Sequence, residues 1–198
     1  MITVVTSIVG KGKLIDQPKY GCDYIAFTEQ ESSVWHIRRH CNKFKNDALN
    51  AKIHKILTHK YIDSDYFMWI DGGVTLKTNP EELVELMGDK NFLFFKHPVR
   101  DCISDEIDAC RNCHKGDFYE LTEQRKAYTS VLRDKGLVES AVYLKRNNPE
   151  ANELMNKWWV EVCRHSSRDQ ISWPIVFKDE DYVLLDDFLD NKYFNCKK

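Results

Sequence analysis

Asp71 ends the run Tyr66-Phe67-Met68-Trp69-Ile70-Asp71-Gly72-Gly73, where an ionisable group and two glycines follow five large apolar side chains. Such a run predicts a strand covered on both faces. A carboxylate is costly to bury unpaired, so Asp71 belongs where the strand leaves the core. In open α/β sheets the carboxyl ends of the strands form the ligand crevice. Two readings stand side by side: a metal or polar-ligand aspartate at the mouth of a cleft, and a strand-to-turn cap bonded to the glycine backbone. Three further polar groupings stand near apolar segments. Lys52, Lys55 and His59 share one sector of a helix expected over residues 44–61, whose apolar face is Leu49, Ile53, Ile56 and Leu57. They would line a crevice edge or form a solvated basic flank. Phe92-Leu93-Phe94-Phe95 reads as a second buried strand and delivers Lys96, His97, Arg100 and Asp101 at its end. The polar run from Arg164 to Gln170 contains His165, Arg168, Asp169 and Gln170.

The elements that must position these groups alternate between strand and helix. Residues 4–9, 24–28 and 141–144 are further strand candidates. Asn79-Pro80-Glu81-Glu82 has the chemistry of a helix start, with Leu83, Leu86 and Met87 as its apolar face and Gly88 as its stop. Residues 121–132 look helical. Asn148-Pro149-Glu150 opens another helix, striped by Ala151, Leu154, Met155, Trp158 and Val162. Trp158 and Trp69 read as core rather than as sugar platforms. Asp186, Asp187 and Asp190 read as solvated, with a late return to the cleft as the alternative. This order predicts one α/β domain over residues 1–198, with a mixed, mainly parallel sheet flanked by helices.

Composition narrows the function. Lys and Arg total 29 against 31 Asp and Glu. This balance argues against a general nucleic-acid binder but permits a local basic patch for an anionic ligand. No apolar stretch is long enough to span a membrane, and no basic leader opens the chain. Seven cysteines at irregular spacing predict reduced thiols and a cytoplasmic setting, or the cytosolic face of a membrane system. Cys110 and Cys113, with His114, Cys102 and His97 nearby, lack the second paired motif of structural zinc. Ser166 and Ser167 beside His165 do not make a triad, and no nucleophile elbow, dinucleotide fingerprint or Walker loop occurs.

Several motifs in series resemble a known family. They are Lys52-x-x-Lys55-Ile56-Leu57-x-His59, the run ending Trp69-Ile70-Asp71-Gly72, Phe95-Lys96-His97-x-x-Arg100-Asp101-Cys102 with Asp105-Glu106, and Trp158-Trp159-x-Glu161-Val162-x-Arg164-x-Ser166-Ser167-Arg168-Asp169-Gln170-Ile171-Ser172. Together they are similar to the plant and microbial glycosyltransferase-like family once catalogued as a domain of unknown function, which includes mucilage-related members. The resemblance implies a GT-A fold, a nucleotide-sugar donor, a glycan or other hydroxyl acceptor, and Mn²⁺ or Mg²⁺ on the donor diphosphate. It assigns Asp71 to the metal, with His97 or His165 as alternative further ligands, and Lys52, Lys55, His59, Asp71 and Gly72 to the donor. Asp169 becomes the candidate base, or the donor-orienting group if configuration is retained, with Arg168 beside it. His97, Arg100, Asp101 and Gln170 would contact acceptor or sugar hydroxyls; Asp101 and Glu106 would either bind acceptor hydroxyls or support the cleft through Arg100. The second carboxylate of an Asp-x-Asp pair is absent. A metal-dependent phosphoesterase using Asp71, His97 and Asp169, and a silent nucleotide-sugar-binding module, are the competing readings.

Overall fold

The apolar strand candidates pair into one sheet because each has two faces to cover. A computed structural model describes residues 1–186, 188–189 and 191–196. In chain order the elements are β1 (Ile2–Ser7), β2 (Asp23–Phe27), β3 (His36–Arg38), α1 (Asp47–Ile56), a 3₁₀ turn (Thr58–Lys60), β4 (Tyr66–Ile70), β5 (Val74–Leu76), α2 (Glu81–Met87), β6 (Phe92–Lys96), α3 (Ile103–Asn112), α4 (Phe118–Ala127), β7 (Val138–Arg146), α5 (Pro149–Arg164), α6 (Asp169–Phe177), β8 (Val183–Leu185) and β9 (Phe194–Cys196). Asp187 and Asp190 lie outside the described residues.

Seven strands form the main sheet in the order β3-β2-β1-β4-β7-β6-β8. Only β7 runs against its neighbours, so the sheet is mixed and mainly parallel, as expected. β5 and β9 make a separate antiparallel pair. The carboxyl ends of β1, β4 and β6 therefore share one edge with the start of β7.

Alternation along the strands divides the core in two. Val4, Met68, Ile70, Leu93 and Leu144 face a cluster that includes Leu83 and Met87 of α2 and Phe194 of β9. Val5, Phe67, Trp69, Phe94 and Tyr143 face Ile56 of α1, Trp158 of α5 and Trp173 of α6. Trp158 is wholly buried, as its place in the apolar stripe predicts. A third cluster joins Ile103 and Ile107 of α3, Leu121 of α4 and Ile171 of α6. No described helix is long and apolar enough to cross a membrane.

Several boundaries move. The helix expected over residues 44–61 is α1 alone; Asn46 caps it through Ala48 N at 2.9 Å, and the chain tightens into the 3₁₀ turn after Leu57. Asn148 caps α5 by accepting from Ala151 N at 2.8 Å. At α2, Glu82 bonds Thr78 Oγ1 at 2.6 Å instead of completing a box with Asn79. Strand β7 is nine residues long, not four. Its pairing slips: Phe94 opposes Tyr143 while the next residue, Phe95, opposes Glu139. Residues 140–142 are thus extra on β7, and bulges of this kind re-aim side chains beside functional clefts.

Candidate active site at the carboxyl edge of the sheet

Several segments meet around a cavity of about 470 Å³ at this edge, a volume typical of small-molecule sites. α1 supplies Lys52 and Lys55, the turn after β4 supplies Asp71 and Gly72, and the β7 bulge supplies Glu139 and Ser140. The start of α6 supplies Arg168, Asp169 and Gln170, while Arg100 and the α3 residues Glu106 and Cys110 form the opposite wall. The one-turn spacing of Lys52 and Lys55 places both ammoniums on the same face of α1, as the sequence predicts.

Asp169 is the electrostatic centre. Its side chain is only 3% exposed and bonds Lys52 Nζ through Oδ1. Oδ2 lies 2.6 Å from Lys55 Nζ and accepts from Ser140 Oγ at 3.0 Å. Burial alone would raise the Asp169 pKa, but Lys52, Lys55 and Arg168 outweigh it and hold the carboxyl well below the usual range. For Lys55, burial favours the neutral form; Asp169 and Asp71 outweigh it and raise the pKa. Lys52 goes the other way, lowered by burial despite Asp169. A carboxylate with both oxygens engaged and a depressed proton affinity is a poor general base. In this geometry both carboxylate oxygens of Asp169 are held by Lys52, Lys55 and Ser140.

Asp71 sits at the mouth with its side chain 51% exposed. Oδ1 accepts from Trp69 Nε1 at 2.7 Å and lies 3.8 Å from Lys55 Nζ. Its backbone N–H donates to Ala141 O at 2.8 Å, tying the turn to the bulge. No described residue bonds Oδ2. Gly72 lines the cavity, but a Cβ there would lie 2.3 Å from Ile8 Cδ1. Its small size therefore also lets Ile8, just past the end of β1, pack against the turn.

The opposite wall is a second ion-pair network. Glu106 accepts from Arg100 Nε at 2.5 Å and from Arg168 Nη2 at 3.4 Å. Arg168 also donates to Gln170 Oε1 at 3.2 Å, and Gln170 Nε2 donates to Val138 O at 3.3 Å. Burial would lower the Arg168 pKa, but neighbouring Cys110, Asp169 and Glu106 outweigh it and raise it further. Glu139 differs from the other acids: burial pushes its pKa up, Lys55 opposes this, and Asp71 adds to it.

The remaining expected residues fall elsewhere. His97 lies beneath the Arg100 wall without lining the cavity; its Nδ1 accepts from Arg100 N at 2.9 Å, and burial lowers its pKa to about 4. That buried, hydrogen-bonded ring is not placed as an open metal ligand. His165 caps the end of α5, edge-on to Tyr128 at 4.9 Å and 3.5 Å from Glu161, away from the cavity lining. Asp101 bonds the backbone N–H of Gly136 at 3.2 Å and serves that turn. His59 is carried off by the 3₁₀ turn to Lys145, 3.4 Å from its Nδ1, at the far end of β4. Lysine and histidine four residues apart would share a face only if α1 continued. Glu106 supports the cleft through Arg100, one of the two roles expected of it; Glu139, Ser140 and Lys115 were not singled out for this site from sequence, because a bulge and a cross-sheet wall leave no local pattern.

Among the described residues, no three His, Cys, Asp or Glu side chains converge to hold a metal. The free Oδ2 of Asp71 fits a cation shared with a ligand's phosphates, since Mg²⁺ is commonly held by one or two carboxylates plus substrate oxygens. All seven cysteines are free thiols.

Across 67% of the chain, 149 residues are 30% identical to the probable hexosyltransferase MUCI70 of Arabidopsis thaliana. The match spans 25% of that protein, so this chain corresponds to about a quarter of its length. Two solved structures align with this chain at 10% identity. A glycosyltransferase involved in the glycosylation of the major capsid of PBCV-1 has a TM-score of 0.49, covering 93% of this chain and 81% of that one. Mouse xyloside xylosyltransferase 1 has a TM-score of 0.48, covering 93% and 83%. The model of the TOD1/MUCI70 glycosyltransferase-like domain matches residues 23–195, from the start of β2 to the last described strand, and the chain belongs to that family.

Proposed function

We propose that this domain transfers a sugar from a nucleotide-sugar donor to a hydroxyl of a glycan or another acceptor. The observation that carries this reading is the convergence of Lys52, Lys55, Asp71, Arg168 and Asp169 on one cavity at the carboxyl edge of the sheet, in a chain of a glycosyltransferase-like family. When the bond from sugar to diphosphate breaks, negative charge gathers on the leaving phosphate. Lys52, Lys55 and Arg168 offer fixed positive charge for it, and donors held before reaction need no reorganisation as charge develops. Asp169 keeps the two ammoniums in place, so its contribution is positioning. Gln170 and Arg100 lie where sugar hydroxyls would meet the wall.

A divalent cation would be held by Asp71 with the donor's diphosphate oxygens and water, and would add Lewis-acid stabilisation of the leaving group. Two-metal phosphoester hydrolysis asks for several converging carboxylates; here Asp169 is already neutralised by two lysines.

The test is a panel of nucleotide sugars assayed for transfer and for donor hydrolysis with Mn²⁺, Mg²⁺ or chelator. The wild type should turn over at least one donor, and Asp71→Asn should lower that rate by roughly 100-fold and remove any stimulation by metal. Donor binding with neither transfer nor hydrolysis would identify a silent binding module. Phosphate release from simple esters without sugar transfer would identify a phosphoesterase.

A further inference from the structure

Phe118 and Tyr119 stand out in a chain that otherwise covers its rings. They are 66% and 72% exposed, while no other Phe, Tyr or Trp among the described residues exceeds 38%. Adjacent exposed aromatics mark a contact surface more often than isolated ones do. Their place gives that surface a context. Cys113 and Lys115 line the cavity, and the chain then turns through Gly116 into the first turn of α4. Gly116 adopts φ +88°, and a Cβ on it would lie 3.2 Å from Arg168 Cγ. The loop therefore lies directly against the cavity's arginine, and the two rings follow it in the chain, two and three residues after Gly116.

The rings are mounted on a fixed base. Asp117 caps α4 by accepting from Glu120 N at 2.9 Å. The Arg111 guanidinium stands 4.5 Å over the Phe118 ring and donates to Thr122 Oγ1 at 2.5 Å. One face of Phe118 is thus backed by a cation while the ring remains mostly open to solvent. Tyr119 adds a second open ring with a hydroxyl that can donate and accept.

We infer that Phe118 and Tyr119 form a stacking platform for a glycan chain whose reacting end enters the adjacent cavity. The inference rests on the transferase reading and adds an acceptor subsite to it. A pyranose ring presents a flat apolar C–H face to an aromatic ring and hydroxyls at its edge. The open rings suit the first, and Tyr119 Oη with the neighbouring Lys115 suits the second. Exposed charge around the rings is mixed, with Lys126 paired to Glu123, so it offers no basic patch for an anionic lipid surface.

Native affinity electrophoresis in gels cast with arabinoxylan, galactomannan, polygalacturonate or dextran tests the platform. The wild type should be retarded in at least one gel. The Phe118→Ala/Tyr119→Ala variant should bind at least tenfold more weakly, with an unchanged unfolding midpoint, and Phe118→Tyr/Tyr119→Phe should keep the retardation. Wild-type protein unretarded in every gel, or an alanine variant retarded like wild type, overturns the platform. So does sedimentation with phosphatidylcholine/phosphatidylserine vesicles that the alanine variant loses, which would assign the rings to a membrane. Calorimetry with UDP, GDP and ADP in the presence of MnCl₂ separates the two readings. The alanine variant should bind nucleotide as the wild type does. Absence of binding for all three would remove the transferase reading, while the gels would still decide whether the rings hold a glycan.

Discussion

Two buried lysines sit at opposite ends of the same sheet, and their surroundings differ in the one respect that matters. At the carboxyl edge, Lys55 lies 2.6 Å from Asp169, 3.8 Å from Asp71 and 3.1 Å from Ser140, and these carboxylates strengthen its hold on its proton. At the far end of β4, Lys145 donates to Asn152 Oδ1 and lies 3.4 Å from His59 Nδ1 and 5.1 Å from the Phe67 ring centroid. No described carboxylate is within ion-pair reach of it, and burial lowers its pKa to about 7. A buried cation beside carboxylates and a cavity is a permanent charge available to an anionic ligand. A buried cation among neutral groups is close to losing its charge, and Lys145 does not line the carboxyl-edge cavity. Burial alone, then, does not mark the functional lysine; its counter-charges and its access do.

The largest effect should come from breaking the carboxyl-edge network. Asp169→Asn leaves two lysines without their shared counter-charge, and removing one partner of a buried pair costs about 3 kcal/mol or more. Urea unfolding at neutral pH should show that loss, together with weakened donor use. An unchanged midpoint would mean that Asp169 does not hold the lysines.

A smaller, opposite signature is expected at Lys145. Its proton is held less tightly in the folded chain than in the unfolded one, so the unfolded state binds more protons between about pH 7 and the ordinary lysine range. Wild-type stability should therefore gain a component as pH rises from 7 towards 10. Lys145→Met should lack that component while keeping donor turnover, which unfolding curves at pH 7 and 9.5 can resolve. A loss of turnover without a loss of stability would move Lys145 into the site and erase the contrast.

The smallest effect belongs to His59. Burial is the main cause lowering its pKa to about 4, with Lys145 adding to it, and its unfolded value is about 6.5. Stability is lost as pH falls through that window, because the unfolded chain takes up the proton first. His54 and His97 share this direction, so His59→Gln should blunt the acid sensitivity without abolishing it. Donor turnover should be unaffected. A donor-binding defect would restore the role its sequence position suggested.

What could be read from residues follows the same division. Asp71 was legible because an apolar run stopped at a carboxylate, and Lys52 and Lys55 because helical spacing is local information. Residues 168–170 were legible as a polar break between two apolar stretches, although not as a lysine-clamped pair, which needs α1 and α6 to meet across the chain. His59 was misplaced by a helix that ends one turn early. His97 was placed in the cleft because a strand end delivers it there, yet Arg100 and Glu106 fold over it. Glu139 and Ser140 were hidden by the slip between β6 and β7, since a bulge depends on the partner strand. Helix α3 and strands β3, β5, β8 and β9 also escaped notice, being short or built on mixed patterns whose apolar contacts come from distant segments.

A crystal structure of the protein with Mn²⁺ and whichever of UDP, GDP or ADP binds tests the central claim most directly. The diphosphate should lie in the carboxyl-edge cavity, contacting Lys52 or Lys55 and facing Asp71, with Asp169 still joined to both lysines. A diphosphate bound elsewhere on the surface, with the Lys52–Asp169–Lys55 network untouched by ligand, would contradict it.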